Sequence, residues 1–126
     1  MNQNSKKMAD AIARVLLEHK GTDLLLLDIE ERSVVADGFL LVSGRSTTQV
    51  RTLADALDDK LAAQGLECRH TEGYAASRWI IKDYGDILVH IFHKEDREFF
   101  NLERLWADGT NEYRYEETEE AASSLS

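Results

Sequence analysis

The chain has a single cysteine, Cys68, which excludes an internal disulfide and a multi-cysteine metal site. It has no apolar run near the roughly 20 residues that cross a bilayer as a helix, and its polar first residues carry no signal-peptide pattern. Basic residues are scarce: 15 lysines and arginines stand against 24 aspartates and glutamates, a formal charge of −9. That balance repels a phosphate backbone at long range, which argues against a sequence-independent nucleic-acid binder and favours basic partners. No internal repeat and no second domain is visible. The simplest expectation is one small cytoplasmic domain, since 126 residues with 43% hydrophobic content suffice for one core.

The charge deficit is uneven. Residues 1–63 carry eight basic and ten acidic side chains, while residues 64–126 carry seven and fourteen. The final stretch, TNEYRYEETEEAASSLS, has five glutamates and little apolar surface to fold around. Residues 111–126 therefore read as an acidic, disordered, solvating tail behind a domain of residues 1–110.

Met8, Ile12, Val15 and Leu16 recur at helical spacing and predict a helix over about residues 5–20, with Gly21 placed for a left-handed terminal conformation. LLLLDI (24–29) predicts a central strand, 30–32 a turn, 33–37 a polar connection and Phe39–Val42 the next strand. Ser46 and Gln49 have the spacing of a capping box. Val50, Leu53, Ala54, Leu57 and Leu61 then form one helical apolar stripe, with Gly65 beyond its end and Leu66 able to fold back. Strands are expected over 67–71, 77–82 and 87–92, the last two joined by a turn at Asp83-Tyr84-Gly85-Asp86. A broken helix is expected over 95–106. The fold class is α/β, a mixed sheet of about five strands packed with two or three helices.

Chemistry is densest in WIIKDYGDILVHIFHKEDREFFNLERLW, Trp79 to Trp106. Strand parity puts Ile87, Val89 and Ile91 on one face and Asp86, Leu88, His90 and Phe92 on the other. His90 and His93 would share a metal, with Glu95 or Asp96, only if the chain bent after Phe92, and the spacing matches no strong motif. The plainer reading has His90 packed with a side-chain hydrogen bond and His93 capping the next turn. Asp83, Asp86 and Asp37 could hold magnesium near a phosphate loop at Ser43-Gly44-Arg45-Ser46, which would make a nucleotide-processing enzyme using Asp83 and Asp86. That loop lacks the P-loop glycine and lysine pattern, and a strand-to-helix turn explains it equally. Cys68 and His70 share a strand face without an orienting acid or oxyanion hole. No catalytic residue, cofactor, metal or small-molecule substrate is assigned.

The aromatics fare better as an interface. Trp79, Tyr84, Phe99, Phe100 and Trp106 exceed the demand of one hairpin, and Arg78, Lys82, Arg97 and Arg104 stand among them. Against this, Phe99, Leu102 and Trp106 have roughly helical spacing and can bury one face, with Arg97 and Arg104 paired to Glu103 or nearby aspartates. The residues leave both readings open.

The ordered run of ADGFLLVSGRSTTQV (36–50), EG (72–73) and the Trp79–Trp106 segment resembles the ribosomal silencing factor, or Iojap-like, family over about residues 8–110. Gly38 stands where the family pattern usually has an aromatic. The resemblance implies a small α/β domain, related in shape to nucleotidyltransferases but not known as an enzyme. It implies a cytoplasmic translation repressor that binds the large ribosomal subunit through ribosomal protein fourteen and blocks joining of the small subunit. The charge balance leaves room for ribosomal RNA at the periphery of the contact, and a small domain with exposed aromatics could form a weak homodimer. Carried over by motif, Trp79, Asp83, Tyr84, Asp86, His90, Arg97, Asn101, Glu103 and Trp106 are the candidates for fold support or docking. Blocking association needs only a complementary surface and bulk, and an acidic chain suits a basic ribosomal protein.

Overall fold

The computed structural model describes residues 1–115. Its first helix, α1 (Gln3–Glu18), starts where the Asn2 side chain accepts from Ser5 N–H at 2.8 Å. It ends with Lys20 N–H bonded to Leu17 O and Gly21 N–H to Leu16 O. The left-handed residue there is Lys20, at φ 68°, and not Gly21 as the sequence suggested. Gly21 serves a different need. A Cβ on it would lie 2.6 Å from Val42 Cγ2, so its bareness lets the helix exit pass against the sheet.

The second helix, α2 (Thr47–Ala63), begins as the spacing of Ser46 and Gln49 implied. Ser46 Oγ accepts from Gln49 N–H at 3.1 Å, and Gln49 Oε1 reaches back to Arg45 N–H at 2.8 Å, one residue earlier than in a regular capping box. Its end carries Gly65 at φ 82°, with Leu66 N–H folded back to Leu61 O.

Six strands form one mixed sheet: β1 (Thr22–Asp28), β2 (Gly38–Gly44), β3 (His70–Glu72), β4 (Trp79–Asp83), β5 (Ile87–His93) and β6 (Glu112–Arg114), in the order β3-β4-β5-β2-β1-β6. β2 and β5 run parallel over their full length; every other neighbour is antiparallel. The unbroken apolar runs of β1 and β2 suit a sheet covered on both sides, and all seven residues of β2 are buried. One face packs Leu24, Leu26, Leu40, Val42, Ile80, Val89 and Ile91 against the apolar stripes of α1 and α2. The other holds Leu25, Leu27, Phe39, Leu41 and Phe92 beneath two short helices, α3 (Lys94–Phe100) and α4 (Leu102–Trp106).

The sheet has one strand more than expected. β6 lies inside the stretch read as tail and extends the sheet past residue 110, while residues 116–126 of that stretch lie outside the described residues. Gly38 is buried, and a Cβ there would meet the Met1 side chain at 2.6 Å and Ile87 at 3.1 Å; the site is already filled by its neighbours.

A candidate docking face on the outer side of the sheet

Alternation along β4 and β5 delivers Trp79, His90 and Phe92 to the side of the sheet away from the long helices, as strand parity required. There they form one aromatic row. Trp79 stacks on Phe92 at 4.8 Å between centroids and leans on Phe100 at 4.9 Å. His90 meets Phe39 edge-on at 4.8 Å, and Phe39 meets Trp106 edge-on at 5.1 Å. The row thus runs from α3 across the sheet to α4.

The indole N–H of Trp79 donates to His90 Nδ1 at 3.0 Å. An indole nitrogen can only donate, so Nδ1 is the acceptor and the neutral ring carries its proton on Nε2. His90 Nε2 is buried and has no hydrogen-bond partner. Burial pushes the imidazole pKa down from 6.5 to about 4. At pH above 6.5 the ring is neutral whether the chain is folded or not, and its contribution to stability is full. Between 6.5 and about 4 the unfolded chain takes up a proton that the folded chain refuses, so stability falls with pH by up to roughly 3 kcal/mol. Urea unfolding at pH 7 and pH 4.5 is expected to show this decline in the native protein and a shallower one in His90→Leu; parallel declines would disprove the assignment.

Two anchors hold the helices over this face. Arg97 is buried. Its Nη1 donates to Asp23 O at 2.7 Å and Ser43 Oγ at 3.0 Å, and its Nε to Glu103 Oε1 at 3.3 Å. The guanidinium therefore ties α3 to the ends of β1 and β2 and to α4. In the first turn of α3, Asp96 accepts from Arg78 through both Nε and Nη2. Asn101, left-handed at φ 47° and ψ 59°, breaks the segment between α3 and α4, a conformation asparagine tolerates. The break resets the helical phase: Leu102 and Trp106 pack inward, whereas Phe99 is 81% exposed, Leu105 71% and Phe100 45%. Glu95 and Glu98 are exposed beside them. Helical spacing had grouped Phe99 with Leu102 and Trp106, and nothing in the sequence marked Leu105.

The remaining candidates lie elsewhere. Tyr84 belongs to the core under the long helices, 3% exposed, with its hydroxyl buried and without a partner. Burial, with smaller effects of Cys68 and Asp58, pushes its pKa well up. Asp83 accepts from Gly85 N–H at 2.7 Å and shapes the turn. Asp86 and Asp37 both face the buried Ser5 hydroxyl, at 3.4 and 2.7 Å. Ser43–Ser46 sits at the opposite end of β5, since Gly38 pairs with Ile87 and Gly44 with His93. At about 3.3 Å per residue that is about 20 Å away, so the aspartates and the loop form no common cleft. His93 caps α3, its Nδ1 accepting from Glu95 N–H at 3.2 Å, and turns away from His90. Cys68 Sγ bonds to His70 O at 3.1 Å. Among the described residues no group of three or more His, Cys, Asp or Glu side chains is placed to hold a metal ion. Among them, too, no helix is long and apolar enough to cross a membrane.

A small mixed α/β domain, with one sheet face sealed by long helices and the other presenting exposed aromatics on short ones, is the class of protein these features define. A family model described as "Ribosomal silencing factor during starvation" matches residues 2–125. The chain is 38% identical over 105 residues to Ribosomal silencing factor RsfS of Bacillus subtilis (strain 168), covering 83% of this chain and 89% of that protein. It is 26% identical over 102 residues to the Mus musculus protein named Mitochondrial assembly of ribosomal large subunit protein 1, covering 77% of this chain and 44% of that one. A crystal structure of a protein from Bacillus halodurans superposes with a TM-score of 0.73 at 34% identity, covering 80% of this chain and 94% of the other. The chain belongs to the ribosomal silencing factor family.

Proposed function

We propose that this chain is a cytoplasmic translation repressor that binds the large ribosomal subunit through ribosomal protein fourteen and obstructs joining of the small subunit. The observation that carries the reading is the exposed pair Phe99 and Phe100, in contact with each other and through Phe100 with half-buried Trp79, with Leu105 also exposed on α4. A folded domain that leaves such rings uncovered on short, anchored helices has a surface suited to a partner. The acidic side chains Glu95 and Glu98 next to it, on a chain of net charge −9, fit a basic ribosomal protein. Support for the large subunit as target also comes from the name of the mouse relative. The mechanism needs occupancy and no turnover: a domain seated on the joining face excludes the other subunit by its volume.

The test is co-sedimentation with purified large subunits, followed by a subunit-joining assay. The native chain should bind and slow joining. Phe99→Glu should weaken binding about tenfold or more, the effect of losing one well-packed anchor, without lowering the melting temperature. Normal joining at saturating protein, or undiminished binding by the variant, would defeat the proposal. Loss of self-association alone in Phe99→Glu would assign the cluster to a weak homodimer.

A further inference from the structure

We propose that His90 is a positioning residue for docking, fixing the Trp79 indole, and through it Phe100 and Phe99, in the orientation the large subunit meets. The inference rests on the docking reading above. His90 returns little to the fold itself. One of its nitrogens is buried without a partner, and the ring lies among Phe39, Trp79 and Phe92, where a leucine would fill space without a polar atom to satisfy. Its one side-chain hydrogen bond is the 3.0 Å bond from the Trp79 indole.

That bond joins a buried ring to a half-buried one at the margin of the face. Without an acceptor inside, the indole N–H has water as its alternative and the ring turns toward solvent. Phe100 leans on Trp79 at 4.9 Å and Phe99 meets Phe100 edge-on at 5.1 Å, so a turned indole displaces both exposed rings. A fixed indole spares the complex the ordering cost of an aromatic anchor at the moment of binding. A residue that the partner does not reach would in this way decide what the partner meets.

The experiment compares His90→Leu, which removes the acceptor, with His90→Asn, whose side-chain oxygen can take the place of Nδ1. Large-subunit affinity is measured alongside the indole N–H signals in ¹⁵N–¹H spectra, with Trp79→Phe assigning the Trp79 signal. His90→Leu should fold, bind about tenfold more weakly and show a Trp79 indole shifted toward that of a water-exposed ring with faster solvent exchange. His90→Asn should recover most of the affinity and the native indole signal. Native affinity in His90→Leu, an unmoved indole signal, or failure of the asparagine to rescue would each overturn the inference. So would failure of His90→Leu to fold, which would make the ring a support of the core. Failure of the native chain to bind large subunits would overturn the docking reading and this inference with it; native binding with an undiminished leucine variant would overturn the inference alone.

Discussion

Tyr84→Ala is expected to lower the unfolding free energy by about 3–5 kcal/mol, the range for truncating a fully packed aromatic. The ring is 3% exposed in the core that also holds Ile80, Val89 and Leu57. Its hydroxyl adds nothing to that stability, being buried without a partner. Tyr84→Phe therefore removes only an orphan polar atom and should leave the protein as stable or about 1 kcal/mol more stable. Equilibrium urea unfolding of the two variants separates the ring from its hydroxyl. A loss below about 1 kcal/mol for the alanine variant would put the ring outside the core. Because Tyr84 sits under the long helices, alanine at this position is no test of docking, although Tyr84 stood among the docking candidates.

The second large effect is expected at Arg97. Arg97→Leu removes the buried guanidinium that now joins Asp23 O, Ser43 Oγ and Glu103, at a cost of about 3–5 kcal/mol. The damage should concentrate in α3 and α4, which the guanidinium ties to the sheet. Limited proteolysis should then cut within residues 94–106 at temperatures where the native chain resists, and the large-subunit binding proposed above should be lost with it. Arg97→Lys should not rescue, because one ammonium cannot reproduce two guanidinium nitrogens aimed at separate acceptors. A lysine variant with native melting temperature would contradict the anchor.

Much of this was legible in the residues, and the exceptions have physical causes. The stripe and caps of α2 are local, so the sequence states them directly. Parity along β5 separated His90 from His93, and the reading of each as packed ring and helix cap agrees with the contacts. The same alternation carried past β4 groups Ile80, Lys82 and Tyr84 on the helix side; a turn label hid that signal for Tyr84. β6 was not legible. Its three residues, Glu-Tyr-Arg, have no strand pattern of their own and are ordered by the edge of β1, a contact distant in sequence. Phe99 was misgrouped because helical spacing was counted through Asn101, where the backbone turns left-handed. The candidates divide accordingly. Trp79, His90, Arg97, Asn101, Glu103 and Trp106 gather on or beneath the outer face, whereas Asp83, Tyr84 and Asp86 shape the hairpin turn and the opposite core.

The two ends of the sheet bear on how copies of this molecule treat one another. β3 and β6 close it with three residues each, His-Thr-Glu and Glu-Tyr-Arg, so each border offers a short strand carrying charge. Borders of that kind template further strand addition poorly and discourage edge-to-edge aggregation. A crowded cell would therefore meet a molecule whose two sheet borders invite little strand addition, while Phe99, Phe100 and Leu105 stand exposed on α3 and α4.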